Sequence, residues 1–475
     1  MSRCLLAAIL LSLCAGGLQA EVIQVYPGGS IQAAITAASP GDEIVVHPGT
    51  YGELINFNGK AVTLRSTDGP ALTTIDGQQV GTVVICRSGE GPSTVLEGFT
   101  LRNGRTSAQG GGMYIQSAHP TVRNCVFYNN HAQYGGGAFI QTAHPTLERC
   151  VFERNTADSS GGGLYNYNLS PAQPAALFVG CTVIDNTAEV HGGGVRNWDA
   201  TPTFRSCEFT GNHARYFGAG MSNGGASHAT FTDCRFISNR TDTLYSDWDC
   251  QGGGMTNTET SSPVLVNCVF DGNAAVAMLP WKSYGGAVHN TGSARPLFTN
   301  CTFARNRADV ARAFYNIGTS LPTLTNCIVW NGGSEIRLEG MAGMEISYTC
   351  MTGLSGGTGN ISLDPLLKAN LRLDAESPGI NAGDPAYNPP GGRDPDGHAR
   401  VLCGRVDMGA YEYGIGDYDC NRMIDVQDFL LGGCCLTGPD AGPYASGCEA
   451  LDFEYDQDVD LTDLAGFQVL FGTPP

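Results

Sequence analysis

The sequence predicts an all-β fold, a right-handed parallel β-helix of about 10–13 coils, and three observations carry the prediction. A glycine-led unit recurs along the middle of the chain. Inside each unit Cys, Phe and Asn return at fixed offsets. Glycine is abundant, 65 of 475 residues, while charged residues make up only 15%. That balance suits many tight turns and few solvated helix faces. A hydrophobic share of 42% supports a large core and argues against general disorder.

Residues 1–20 read as a cleaved secretion signal, with Arg3 before the apolar run Leu5 to Leu13 and small residues leading to Leu18-Gln19-Ala20. The run is too short to cross a bilayer as a helix. A lipid anchor at Cys14 is the weaker alternative, because bulky Leu13 precedes it. No later segment is apolar enough to be a transmembrane span, so the chain is expected to be secreted or attached at a cell surface.

The solenoid is expected over residues 21–361. Ser30 can cap a short helix whose Ile31, Ala34, Ile35 and Ala38 share one face and would plug the first coil. Residues 42–51 and 61–64 supply the first strands. This opening resembles that of the pectin-lyase-like β-helix superfamily, and the Gly/Cys/Asn coils are similar to its uncharacterised bacterial members. The resemblance implies polysaccharide as a ligand or substrate.

The repeat opens on a glycine triplet at 110–112, 135–137, 161–163, 192–194 and 252–254, with looser copies at 218, 285 and 311; successive starts lie 25–34 residues apart. Five residues after six of these starts comes an Asn: Asn166, Asn197, Asn223, Asn257, Asn290 and Asn316. A second column is Cys125, Cys150, Cys181, Cys207, Cys234, Cys268, Cys301, Cys327 and Cys350. Two residues past nearly every Cys stands Phe or Val, and five past it stands Asn130, Asn155, Asn186, Asn212, Asn239, Asn273 or Asn306. Cys-x-Phe is a period-2 step that turns both side chains inward, and no 3.6-residue stripe competes with it. Coils stacked about 4.8 Å apart pile equivalent residues into columns. An Asn column can hydrogen-bond along itself at a buried corner. The column thiols should stay free, since a disulfide prefers Cβ atoms about 3.8 Å apart.

The residue before the first Asn position points outward and reads Tyr114, Phe139, Tyr165, Arg196 over four coils. Stacked aromatics followed by an Arg could hold a sugar chain. Two coils also carry long insertions, one with Asp247, Trp248 and Asp249, the other with Met278, Trp281 and Lys282. They should adjoin and wall a cleft, which makes Trp248 and Trp281 carbohydrate-binding candidates. The alternative is that these aromatics pack the loops down. Catalytic residues are not evident: the three lysines (Lys60, Lys282, Lys368) are scattered, and Asp247/Asp249 is the one tempting carboxylate pair. A lyase or glycoside hydrolase, and a purely structural or adhesive protein, stay open as alternatives.

Residues 362–413 carry Leu363-Asp364-Pro365-Leu366, Ser377-Pro378-Gly379-Ile380-Asn381-Ala382-Gly383-Asp384 and Asp407-Met408-Gly409-Ala410-Tyr411-Glu412-Tyr413. These resemble the choice-of-anchor domain (type Q), which closes many surface β-helices just ahead of anchoring modules. The resemblance implies location, not chemistry.

The net charge of −19 concentrates in residues 414–475, with twelve acidic residues against Arg422. With three lysines in the chain, nucleic acid is excluded as a partner. Asp417, Asp419, Asn421, Asp425 and Asp428 fall at positions 1, 3, 5, 9 and 12 of a loop, with the Met423 carbonyl at position 7. Thirty-five residues on, Asp452, Glu454, Asp456, Asp458, Asp460 and Asp463 repeat the pattern. That spacing gathers the hard oxygens a Ca²⁺ ion needs, and apolar Ile424 and Val459 at position 8 would pair the two loops. Duplication and a closing Asp make the tail similar to a dockerin, a small α-helical calcium-loop domain. The resemblance implies two Ca²⁺ ions and a cohesin-like partner chosen by positions 10 and 11, here Val426, Gln427, Leu461 and Thr462. Position 6 departs from the usual glycine, being Arg422 or Gln457. Cys420, Cys434, Cys435 and Cys448 are the disulfide candidates, in an order the sequence does not settle.

Overall fold

The computed structural model describes residues 20–168, 176–242, 249–278, 280–389, 392–414, 416–417, 419–432, 435–437, 448, 451–453 and 458–471. The signal segment, Asp247, Trp248, Cys434, Glu454 and Asp456 lie outside them.

Each Cys-x-Phe step forms a short strand whose neighbours, one repeat earlier and later, pair with it in parallel. Phe127 meets Phe152, and the line continues through Val183, Phe209, Phe236, Phe270, Phe303 and Val329 without a slip. Three long sheets result, all parallel. One has thirteen strands, from Val22–Val25 to Glu345–Ser347; one eleven, from Ile55–Asn56 to Ile336–Gly340; one twelve, from Gly49–Tyr51 to Cys350–Met351. A fourth, six-stranded sheet runs from His131–Tyr134 to Ala274–Val276. The solenoid interior is one apolar core from Val25 to Met351.

The phenylalanines stack, with ring centroids 4.4 Å apart at Phe127/Phe152 and 4.5 Å at Phe236/Phe270. The nine column thiols are buried and free, as is that of Cys86, and Cys250 is buried as well. Burial pushes Cys125 and Cys350 up to about 12, so these thiols behave as small hydrophobes.

The second Asn column is a continuous ladder. From Asn130 to Asn306 each Nδ2 donates to the next Oδ1 at 2.9–3.0 Å. Each backbone N–H donates to the same oxygen. The ladder closes on the buried Glu335 carboxylate, which accepts from Asn331 N and Nδ2 at 2.8 and 2.7 Å. The other Asn column, Asn166 to Asn316, forms its own ladder at 2.7–2.9 Å. The left-handed corner falls not on the ladder Asn but one residue earlier, at Asn129, Arg154, Asp185 and Ser238. There the side chain faces outward, and the ladder bonds offset the roughly 1–2 kcal/mol of a left-handed L-residue.

At the front, helix α1 (Ile31–Ala37) starts at Ser30, whose Oγ accepts from Ala33 N. Ile31, Ala34 and Ile35 are buried with Val25 and Ile44. Lys60 Nζ donates to the carbonyls of Ile35, Thr36 and Ala38, which ties up one of the three lysines as a helix terminator.

Residues 362–413 do not simply close the end of the stack. They lie along the outer face of the last coils, where Asn326 Oδ1 accepts from Asp384 N (2.6 Å) and Thr302 Oγ1 from Ala410 N (2.9 Å). Asn267 Nδ2 donates to Arg393 O (2.7 Å). The segment's own centre is the buried Arg400, 3.0 Å from Glu412 and bonded to the carbonyls of Gly409 and Ala410.

Candidate functional site

Tyr114, Phe139, Tyr165 and Arg196 stand directly over one another on the eleven-stranded sheet. The register is as the sequence predicts; the exposure is not. Phe139 is 5% and Arg196 3% exposed. Side chains on coils about 4.8 Å apart cover their neighbours once three large columns run side by side. Those flanking columns were not expected: Tyr167 and Trp198 two residues further along the strands, and Tyr134, His191 and Phe217 immediately before the glycine triplets. Both sat at fixed offsets in the repeat and were legible there. Phe139 and Arg196 therefore form a floor, and the half-buried Tyr114, Tyr134, Tyr165, Tyr167 and Trp198 are the aromatic edges a ligand can reach.

The floor holds its charge without a carboxylate at hydrogen-bond distance. Arg196 lies 4.7 Å from the Trp198 ring and donates from Nη1 to Ser222 Oγ at 2.5 Å. Burial lowers its pKa below the usual arginine range, and the neighbouring Tyr165 hydroxyl works against that. His191, stacked on Phe217 at 4.8 Å, is pulled down to about 3 by burial first and Arg196 second, so it is neutral at physiological pH.

The two insertions adjoin as expected: Cys250–Gln251 pairs with Ser283–Tyr284, and Asp249 Oδ1 accepts from Lys282 N at 2.9 Å. Trp281 is 36% exposed. Among the described residues, every group of three or more carboxylates, imidazoles or thiols close enough to share an ion lies beyond the coils.

Two of those groups are the acidic loops, Asp417/Asp419/Asp428 and Asp458/Asp460/Asp463. Their backbones are cross-braced alike. The position 12 carboxylate accepts from the position 9 N–H in both, Asp425 to Asp428 and Asp460 to Asp463, at 2.8 Å. The position 9 carboxylate accepts from the position 11 N–H in both, Gln427 to Asp425 and Thr462 to Asp460. Each loop runs into a helix, α2 (Val426–Gly432) and α3 (Leu461–Leu470). Ile424 and Val459 share one small core with Leu451 and Phe467, although the Val459 backbone bonds to Thr437 rather than to the first loop. Arg422, at position 6, takes the left-handed backbone (φ 71°) that glycine usually supplies, and its Nη1 donates to Ala375 O at 3.1 Å.

The donor set fits a hard cation. Asp452 is fully buried, and among the described residues neither of its carboxylate oxygens accepts a hydrogen bond; Arg393 lies 3.8 Å away. A buried carboxylate left so is costly unless paired or coordinated. Burial raises Asp417 above the usual carboxylate range, and Asp428 and Asp419 add to the rise.

Two disulfides hold this region. Cys435 joins Cys448, and Cys420 joins Cys403. Cys403 is not among the disulfide candidates read from the sequence, because it lies across the expected boundary at 413/414.

Fold and loops together define a repeat solenoid of parallel coils with an acidic-loop appendage. The family described as right handed beta helix region matches residues 72–236 and 176–358, and the chain belongs to it. No curated protein matches. Among solved structures, the pectate lyase Pel9A is 15% identical, covers 83% of this chain and 97% of its own, and has a TM-score of 0.46. A PL6 family alginate lyase, AlyGC, is 14% identical over 74% of this chain and 55% of its own, at 0.41. An alginate lyase from Paenibacillus sp. str. FPU-7 is 10% identical over 68% and 99%, at 0.33. Likeness at this level fixes no chemistry for the present chain.

Proposed function

We propose that this is a secreted or surface-displayed β-helix that binds polysaccharide along its aromatic face and attaches to a larger assembly through a Ca²⁺-dependent, dockerin-like tail. The observation that carries the reading is the pair of equivalently braced acidic loops, with the buried Asp452 carboxylate left without a hydrogen bond among the described residues. Asp417, Asp419, Asn421, Asp425 and Asp428 would hold one ion, with the Met423 carbonyl; Asp452, Asp458, Asp460 and Asp463 would hold the other, with Glu454 and Asp456. Bound Ca²⁺ supplies positive charge that neutralises clustered carboxylates. The chain's part is to keep those oxygens convergent, through the N–H bonds from positions 9 and 11. A cohesin-like partner would meet the exposed Val426, Gln427 and Thr462, with Leu461 beside them. Two disulfides suit an oxidising compartment, and among the described residues no helix is long and apolar enough to cross a membrane.

The test is calorimetric titration of the chelator-treated full chain with Ca²⁺. Two sites and a rise in the melting temperature of the tail are expected; absence of both heat and stabilisation rejects the module. A glycan array on the same sample tests the aromatic face. Replacement of Tyr167 and Trp198 by Ala should abolish any glycan signal and leave Ca²⁺ binding untouched.

A further inference from the structure

The coil stack changes length where the six-stranded sheet ends. The chain takes seven residues from Asn306 to Ala313, but the coil directly above covers the same path in four, from Asn331 to Glu335. Nothing in the shorter coil lies over Arg307 to Asp309. The step left behind is an open cavity of about 510 Å³, with Ala275 and Ala308 in its lining beside Arg305, Arg307, Arg312 and Asp309.

Its charges are unevenly spent. Arg305 makes two bonds of 2.6 Å to the Asp271 carboxylate. Asp309 accepts from Ser283 N and Oγ at 3.1 and 2.8 Å. Among the described residues Arg312 meets only carbonyl oxygens, those of Asn331 and Gly332, through Nη1 at 2.8 and 3.0 Å. The exposed Arg307 side chain has no hydrogen bond or ion pair among the described residues. Two guanidinium groups without a carboxylate partner thus face one notch, in a chain of net charge −19. Guanidinium forks match the paired oxygens of carboxylate, sulfate and phosphate.

We propose that this notch binds an oxyanion, either an acidic group carried on a glycan or a free phosphate-like ion. It does not depend on the aromatic face, which is built from other strands.

The full chain is titrated calorimetrically at low salt with trigalacturonate, inorganic phosphate and the neutral maltotriose, beside Arg307→Gln and Arg307→Glu. At least one of the two anionic probes should bind, lose tenfold or more in affinity in Arg307→Gln and more still in Arg307→Glu, and weaken as salt rises. Binding of trigalacturonate alone identifies a glycan acid; binding of both identifies a free-oxyanion site. Unchanged melting of the variants shows that the fold is intact, as expected for an exposed side chain. The proposal is overturned if neither anion binds, or if they bind both variants as well as the parent. Maltotriose binding that ignores Arg307 would leave the polysaccharide reading standing while the notch fails.

Discussion

At the scale of single residues, the amide ladder is the feature on which the corner rests. Asn212 accepts at Oδ1 from Asn186 N and Nδ2, and donates through Nδ2 to Val183 O and Asn239 Oδ1. All of these groups are away from water. Asn212→Ala leaves several buried donors and acceptors without partners, each worth about 1–3 kcal/mol. A loss of about 3 kcal/mol or more is expected in chemical denaturation; a shift below 1 kcal/mol would mean that water replaces the amide. The ladder was legible, because Asn at one offset seven times over has few other uses. The outward floor was not: a column's register follows from spacing, but whether Phe139 is covered depends on the bulk of Tyr165 and Tyr167 beside it.

At the scale of the element, the glycine triplet shows why the repeat tolerates so little change there. A Cβ on Gly193 would lie 2.1 Å from His213 O, and one on Gly137 2.5 Å from Gly163 O. Neither needs a positive φ; the backbone of the next coil occupies the space. Gly193→Ala must therefore push two coils apart, at a cost of roughly 3 kcal/mol or more. Gly91→Ala, where a Cβ meets nothing within 4 Å, is the matched control. Thermal melting should fall for the first and hold for the second; equal melting of both would show that the coils can separate locally without penalty. The sequence announced the triplet, but not which neighbour demands it.

At the scale of the whole molecule, the tail is tied to the segment before it. The Cys403–Cys420 disulfide, Arg422 on Ala375 O and Arg393 near Asp452 all join residues 362–413 to the acidic loops. Cys403→Ser removes the covalent link; closing a 17-residue separation is worth about 3 kcal/mol. Limited proteolysis should then cut within 403–420 well before the coils, while coil melting stays put; an unchanged digest would show that the noncovalent contacts suffice.

The solenoid, its columns and the spacing of the acidic loops can all be read from the order of residues alone. Each of these is a period or an offset along the chain, and stacking in register carries it directly into space. The covered floor around Phe139 and Arg196, the Cys403–Cys420 pairing and the arginine notch under a shortened coil emerge only once the chain is folded. Those depend on which side chains from distant repeats meet sideways, and on where one coil takes a shorter path than the coil beneath it.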